Sequence, residues 1–261
     1  MKDEQYYYYL IYKPFNTLTQ FKGEGDTLAD LYDFPKDVYP VGRLDKDSEG
    51  LLILTNDKAI NHQLLHPKFK HKKEYWVQVE GEITEDALKQ LRAGVTINVE
   101  KKDHFTAPAW AKRIAEPPLE KRNPPIRERK NIPTSWVSLT ITEGKNRQVR
   151  KMVASVGFPC LRLVRAGIEE LKVEGMKIGE VKKIAQDRLY ESVFGDRKYK
   201  PQARLQKAEK RFSTDVLKPK SGIKKLGKRN FKRPEGEESR PNKPTSNNKP
   251  NRFKSGKSNK R

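Results

Sequence analysis

The chain has 261 residues, a formal net charge of +22, and equal fractions, 34% each, of hydrophobic and charged residues. Its mean hydropathy of −0.94 is too low for a chain that packs throughout its length. It has no run of about 20 apolar residues that could span a bilayer and no signal-peptide pattern, so a cytoplasmic protein without a membrane partner is expected. A single cysteine, Cys160, excludes an intramolecular disulfide, and the charge indicates a polyanionic partner.

The positive charge is concentrated in the C-terminal part of the chain. Residues 197–261 contain 23 Lys or Arg and 5 Asp or Glu, a net charge of +18, which leaves +4 for residues 1–196. The C-terminal part also has few large apolar residues and no hydrophobic period. We therefore predict one folded domain over residues 1–196 and a disordered, basic, low-complexity tail over residues 197–261.

The first half of the predicted domain alternates short strands with short helices. Apolar runs predict strands over residues 7–12 and 50–54, and strict alternation predicts a third strand over residues 74–80. In this third strand Tyr75, Val77 and Val79 share one face. Cap and stop residues predict helices from Asp26 to Tyr32, from Asn56 or Asp57 to Pro67, and from Thr84 to Gly94.

The second half adds strands over residues 136–142 and 161–164, with a helix between them that begins at Asn146. Arg147 and Arg150 share one face of this helix, and Lys145 stands at its N-terminus, where free backbone N–H groups favour anions. A solvated helix end and a phosphate-binding site both explain these three cations. Single helices among irregularly connected strands predict an α+β fold.

The loop before the strand at residues 50–54 combines basic and acidic side chains, among them Arg43, Asp45 and Asp47. A polar turn that hydrogen-bonds its own backbone would explain this composition. A calcium loop is disfavoured because its last ligand would be Asn56, and a helical zinc site at His62 and His66 lacks the following Glu and a third ligand. No metal site is therefore predicted, and the chain has no phosphate-binding glycine loop.

The residues of this loop resemble the signature of the RsuA-type pseudouridine synthases, in the order Gly42-Arg43-Leu44-Asp45-x-x-Ser48-Glu49-Gly50-Leu51-Leu52. The resemblance covers about residues 8–180. The run from Asn123 to Trp136 resembles the RluE branch, whose members modify a uridine in 23S rRNA and lack an N-terminal S4 domain. We expect no such domain here, because the first predicted strand begins almost at the N-terminus. The other matching segments are Lys13-Pro14, Lys73-x-Tyr75, Glu143-Gly144-Lys145-Asn146-Arg147-Gln148-Val149-Arg150-Lys151-Met152 and Leu161-Arg162-Leu163-Val164-Arg165.

The resemblance implies the pseudouridine synthase fold, a mixed and largely antiparallel sheet with flanking helices, over residues 1–196. It also implies a reaction without a cofactor, in which uracil is detached from its ribose, rotated and rejoined through carbon. The expected partners are large-subunit ribosomal RNA and ribosome assembly intermediates, and a monomer is expected. The segment at residues 111–135 is predicted to be an RNA-contacting loop, with a disordered insertion as the alternative.

The resemblance also assigns roles to particular side chains. Tyr75 and Leu163 would equally suit a hydrophobic core, and Arg43 could simply pair with Asp45 or Asp47. The implied roles are Asp45 as the catalytic nucleophile, Lys145 as its ion-pair partner, Tyr75 against the uracil ring, Leu163 near the base, Arg43 near the flipped nucleotide, and Arg147 and Arg150 as RNA contacts.

Two other classes of protein are compatible with the sequence. One is a ribosome-associated RNA-binding protein without catalytic activity, which would use the same basic surfaces. The other is a metal-dependent nuclease that uses Asp45, Asp47 and Glu49. Only the nuclease requires all three acids, because the synthase requires Asp45 alone among them.

We predict that deleting residues 197–261 weakens RNA binding at low salt and flattens its salt dependence. Each lost contact with a single-stranded phosphate should remove ~0.7 from the slope of log affinity against log salt. Filter binding over a salt series measures this slope, and the saturated single-turnover rate should not change. A folded truncated protein that modifies a different uridine, or loses its saturated rate, would contradict the prediction.

Overall fold

A computed structural model describes residues 5–126, 129 and 132–195, and the backbone of Val216–Leu217. The helices are α1 (Lys58–Leu65), α2 (Glu85–Ala93), α3 (Gln148–Ser155) and α4 (Gln186–Phe194). The strands are β1 (Tyr8–Lys13), β2 (Tyr39–Pro40), β3 (Glu49–Thr55), β4 (Lys73–Glu80), β5 (Thr96–Val99), β6 (Lys102–Phe105), β7 (Trp110–Ile114), β8 (Thr134–Ile141), β9 (Cys160–Ile168), β10 (Leu171–Lys172), β11 (Val181–Lys183) and β12 (Val216–Leu217).

Ten of the described strands form one sheet in the order β12-β11-β1-β3-β9-β4-β8-β7, with β2 paired to β3 and β10 to β9. The pair β3 and β9 is parallel, and the other described pairs of this sheet are antiparallel. The predicted mixed, largely antiparallel sheet with flanking helices is therefore confirmed. Strands β5 and β6 form a separate hairpin.

The parallel contact between β3 and β9 requires a glycine. Gly50 has φ of 110°, and a Cβ atom at this position would lie 2.4 Å from the carbonyl oxygen of Arg165. Any larger residue would push the two strands apart. Because the loop of residues 42–48 runs directly into β3, this close approach brings that loop beside β9.

Each face of the large sheet buries its own hydrophobic core. One core packs under α2, α3 and the β5–β6 hairpin and includes Tyr75, Val77 and Val79, the three residues predicted to share a face. The other core packs under α1 and α4 and includes Trp76 and Val164. Within the described residues, every helix is too short or too polar to cross a membrane.

Two predicted helix starts differ from the structure. The helix expected from Asp26 to Tyr32 is a single 3-10 turn, Leu28–Asp30, capped where the Asp30 carboxylate accepts hydrogen bonds from the Thr27 N–H and hydroxyl. Helix α3 begins at Gln148 rather than Asn146, because Arg147 adopts a left-handed conformation with φ of 51°.

The segment predicted as a loop over residues 111–135 begins and ends in the sheet. Strand β7 covers Trp110–Ile114 and pairs with β8, which begins at Thr134, so the RNA-contacting loop can comprise only the residues between these strands. The β5–β6 hairpin and helix α4 were not predicted from the sequence.

One short part of the predicted tail is described. Val216–Leu217 forms β12, which pairs with β11 in the register Val181↔Leu217. The remainder of the predicted tail, and its boundary near residue 196, lie outside the described residues.

Candidate active site

A cavity of about 770 Å³ lies between the loop of residues 42–48, strands β4 and β9, and the segment that leads into α3. It brings together residues that are far apart in sequence. Of the predicted site residues, Arg150 alone does not line it; the wall includes Arg43, Asp45, Tyr75, Lys145, Arg147 and Leu163.

Main-chain contacts fix the shape of the loop that carries Asp45. The Thr19 hydroxyl donates to the Leu44 carbonyl oxygen at 2.6 Å and accepts from the Leu44 N–H at 3.2 Å. The Asn16 N–H also donates to the carbonyl oxygen of Lys46 at 2.8 Å. The backbone on both sides of Asp45 is thus held by the segment that follows β1.

That segment is in turn held by a buried lysine. Lys13 is fully buried, and its Nζ donates to the carbonyl oxygens of Pro14 and Thr17, each at 2.8 Å. Burial lowers the pKa of Lys13 to about 7, because removal from water disfavours its charged form. The Lys13-Pro14 match therefore corresponds to a structural support beneath the loop.

Asp47 joins the loop to helix α3. Its carboxylate accepts two hydrogen bonds from the Arg147 guanidinium, at 2.9 and 2.8 Å, and its backbone carbonyl accepts from Arg150 Nη2 at 2.6 Å. The hydrogen bonds from Arg147 hold the pKa of Asp47 below its usual value. The two arginines predicted as RNA contacts therefore act within the protein as partners of Asp47.

Arg147 is also the ion-pair partner of Asp45. Its Nη1 lies 3.7 Å from Asp45 Oδ2, and both side chains are about two-fifths exposed. Lys145, the predicted partner, lines the same cavity but makes no ion pair among the described residues. The predicted pair between Lys145 and Asp45 is thus replaced by a pair between Arg147 and Asp45.

The opposite wall of the cavity has apolar and cationic parts. Tyr75 and Leu163 are 9% and 5% exposed, so they belong to the core and also line the cavity. Lys73 lies two residues before Tyr75 on β4, and burial together with the nearby Arg165 charge lowers its pKa to about 8. Arg165 donates from Nε to the Leu51 carbonyl oxygen at 2.7 Å.

Lys73 and Arg165 were assigned no role from the sequence, although both lie in matching segments. The sequence signal that could have identified Lys73 is period-two spacing, because it places Lys73 on the same strand face as Tyr75. Arg43 lines the cavity with an exposed side chain and makes no ion pair among the described residues, so the predicted alternative of pairing with Asp45 or Asp47 is not observed.

Glu143 positions the segment that leads into α3. Its Oε1 accepts from Gln148 Nε2 at 2.6 Å and from the Ala107 N–H at 2.9 Å, and the Gln148 side chain accepts from the Lys145 N–H at 2.9 Å. These bonds connect the chain just before β7 to the residues that carry Lys145 and Arg147.

The described residues that follow β7 contact residues close to the cavity. The Arg122 guanidinium lies 4.2 Å from the ring centroid of Phe15. Arg162 donates to the Glu120 carbonyl oxygen at 3.0 Å, while its other nitrogens bind the Glu49 carboxylate at 2.8 and 2.7 Å. The Glu49 side chain is 1% exposed, so this acid is engaged in a buried ion pair with Arg162.

Comparison with known proteins finds related sequences and a related structure. The model of the family described as RNA pseudouridylate synthase matches residues 7–155. A ribosomal large subunit pseudouridine synthase E of Vibrio vulnificus is 51% identical over 175 residues, which are 66% of this chain and 73% of that protein. A protein of the same name from Xanthomonas axonopodis pv. citri is 46% identical over 172 residues, 64% of this chain and 88% of that protein.

A solved crystal structure of a pseudouridylate synthase has a TM-score of 0.61 and 25% identity, covering 73% of this chain and 75% of its own. The chain therefore belongs to the RNA pseudouridylate synthases. Within them it is of the RsuA type and similar to the RluE branch, as its motifs indicated.

We predict that Arg147→Met lowers the saturated single-turnover rate more than Lys145→Met does. The Arg147 and Asp45 side chains are both about two-fifths exposed, so the pair contributes at most about 1 kcal/mol, and removing the cation 3.7 Å from Asp45 should lower the rate by up to about fivefold. Rapid-quench assays at saturating RNA separate this effect from affinity. A larger rate loss in Lys145→Met would restore Lys145 as the partner.

Proposed function

We propose that this protein converts a specific uridine of large-subunit 23S ribosomal RNA to pseudouridine, with Asp45 as the catalytic carboxylate. The choice of substrate is supported by the 51% and 46% identity to proteins named ribosomal large subunit pseudouridine synthase E. The observation that carries the mechanism is the position of Asp45 in a cavity that Tyr75 and Leu163 also line, with Arg147 at 3.7 Å.

The reaction is an isomerisation in which no atom is gained or lost. The bond from the ribose C1′ to uracil N1 breaks, a bond from C1′ to C5 forms, and the proton on C5 leaves while N1 gains one. Such a reaction needs a group that stabilises or traps the detached fragment without admitting water as a competitor. An ionised carboxylate beside a cation suits this task, as either nucleophile or electrostatic stabiliser.

The remaining wall suits a base that has left its stack. Tyr75 offers a ring against which uracil can pack, and Leu163 supports the base from β9. The cations Arg43, Lys73 and Lys145 provide charge for the phosphates of the extruded nucleotide. Extruding a base costs roughly a few kcal/mol, which these contacts must offset.

A metal-dependent nuclease is not favoured by the positions of the three acids. Asp47 is bound by Arg147, and Glu49 is buried and paired with Arg162. Two of the three carboxylates therefore accept close hydrogen bonds from arginines, whereas Asp45 has only the longer 3.7 Å contact with Arg147.

We propose residues 1–196 as the catalytic domain and residues 197–261 as an extension that adds non-specific RNA affinity through its charge. We propose that the protein acts as a monomer. The cytoplasm, where ribosomal RNA and ribosome assembly intermediates are found, is the proposed location.

We predict that Asp45→Asn abolishes pseudouridine formation while RNA affinity changes little. The measurement incubates purified protein with unmodified 23S rRNA fragments, with and without EDTA, and maps both pseudouridine and strand breaks. The matched control is Asp86→Asn, the same change at a side chain that is 85% exposed on α2, which should retain full activity.

The outcomes separate the three classes of protein. A synthase forms pseudouridine in EDTA and leaves the strand intact, whereas a nuclease cleaves the strand only with metal. A wild-type protein that binds the RNA and changes nothing would be a non-catalytic binding protein. Near-normal isomerisation by Asp45→Asn would show that another group performs the chemistry.

A further inference from the structure

Trp110 is unusually exposed for a tryptophan. The chain has three tryptophans, and Trp76 and Trp136 are 8% and 6% exposed, whereas Trp110 is 57% exposed. It is the first residue of β7, which lies at one edge of the large sheet among the described strands. The Lys72 ammonium lies 5.2 Å from the centroid of its ring. A large flat ring is thus held at the surface beside a cation.

The surroundings of Trp110 are positively charged. Register pairs Trp110 with Thr140 and Thr140 with Glu74, so these residues lie side by side on one sheet face, and the exposed Lys112 follows on the same face. Glu74 is already engaged by Lys172 at 2.7 Å. Among the described residues, Lys72 and Lys112 make no ion pair, so the face carries uncompensated positive charge next to the ring.

This face is opposite to the sheet face that carries Tyr75, but both faces end where β4 begins, at the end of the sheet where Lys73 and Ile141 line the catalytic cavity. Glu74 immediately precedes Tyr75, and Trp110 lies two strand spacings from Glu74, or roughly 10 Å at about 4.8 Å per spacing. Lys73 lines the cavity while the preceding Lys72 lies over the Trp110 ring. A polynucleotide that leaves the cavity past Lys73 and bends around the start of β4 therefore reaches Lys72 and Trp110 on the other face.

We propose that Trp110 is a stacking platform for a base of the single-stranded RNA that flanks the target uridine, with Lys72 and Lys112 contacting its phosphates. The inference rests on the proposed function, which makes RNA the partner. An aromatic ring with adjacent cations is the combination that binds single strands without regard to sequence. A protein partner is less suited, because charged residues are depleted at the centre of protein interfaces.

Tryptophan fluorescence tests the platform in the full-length protein. The tail has no tryptophan and the other two are buried, so quenching by a short single-stranded oligouridylate reports on Trp110. We expect wild-type fluorescence to be quenched on binding. In Trp110→Phe the quenching should disappear while the affinity, measured by anisotropy of labelled RNA, stays near that of the wild type.

Trp110→Ala should weaken oligouridylate binding and raise KM for rRNA by about fivefold or more, with kcat little changed, because stacking on one aromatic ring contributes about that much. The matched control is Phe105→Ala, which removes an aromatic ring that is 65% exposed and over which no described cation lies, and it should leave both values unchanged. Heparin, a polyanion without bases, should bind wild type and Trp110→Ala equally.

Three results would overturn the inference. They are unquenched wild-type fluorescence with bound RNA, an equal loss of heparin and RNA binding in Trp110→Ala, and an effect of Trp110→Ala confined to rRNA that carries ribosomal proteins. The last would indicate a protein partner. If wild type forms no pseudouridine in rRNA, the proposed function fails instead, while the oligouridylate titration still reports on stacking.

Discussion

The active site depends on the Asp47 carboxylate. It accepts hydrogen bonds from Nη1 and Nη2 of Arg147, and the Asp47 backbone carbonyl accepts from Arg150, so the loop before β3 and the first turn of α3 meet at one residue. Without this anion, two arginines three residues apart would repel each other. With it, Arg147 is held so that one nitrogen lies 3.7 Å from Asp45. Asp47 thereby positions the cation beside Asp45, the acid proposed as the catalytic carboxylate.

Most of the site could be predicted from the sequence, but its pairing could not. The motifs identify Asp45, Tyr75 and Leu163, and the fold brings all three to one cavity. The ion-pair partner depends on where α3 begins, and a start at Gln148 instead of Asn146 puts Arg147 at the N-cap. Sequence patterns do not define helix ends to that accuracy. The sequence suggested that substituting Asp47 would leave the activity of a synthase unchanged. Because Asp47 holds Arg147 beside Asp45, the substitution should instead disturb the position of Arg147.

Strands of the fold could be predicted where the signal is local in the sequence, and not where it depends on distant residues. Strands β1, β3, β4 and β8 are predicted by apolar runs or alternation, because each buries at least one face. Strand β7 and the β5–β6 hairpin expose most of their side chains, so they carry no hydrophobic pattern and depend on backbone pairing with neighbours. The parallel contact at Gly50 joins residues more than a hundred positions apart, and no local pattern predicts it.

A double-mutant cycle tests most directly the claim that Asp47 acts through Arg147. The rates to measure are saturated single-turnover rates of pseudouridine formation in 23S rRNA fragments, for Asp47→Asn, Arg147→Met and the double variant. If Asp47 serves to hold Arg147 beside Asp45, the double variant should be no slower than Arg147→Met alone. Effects on the activation free energy that add to within about 0.5 kcal/mol would show the two residues to be independent and would contradict the account.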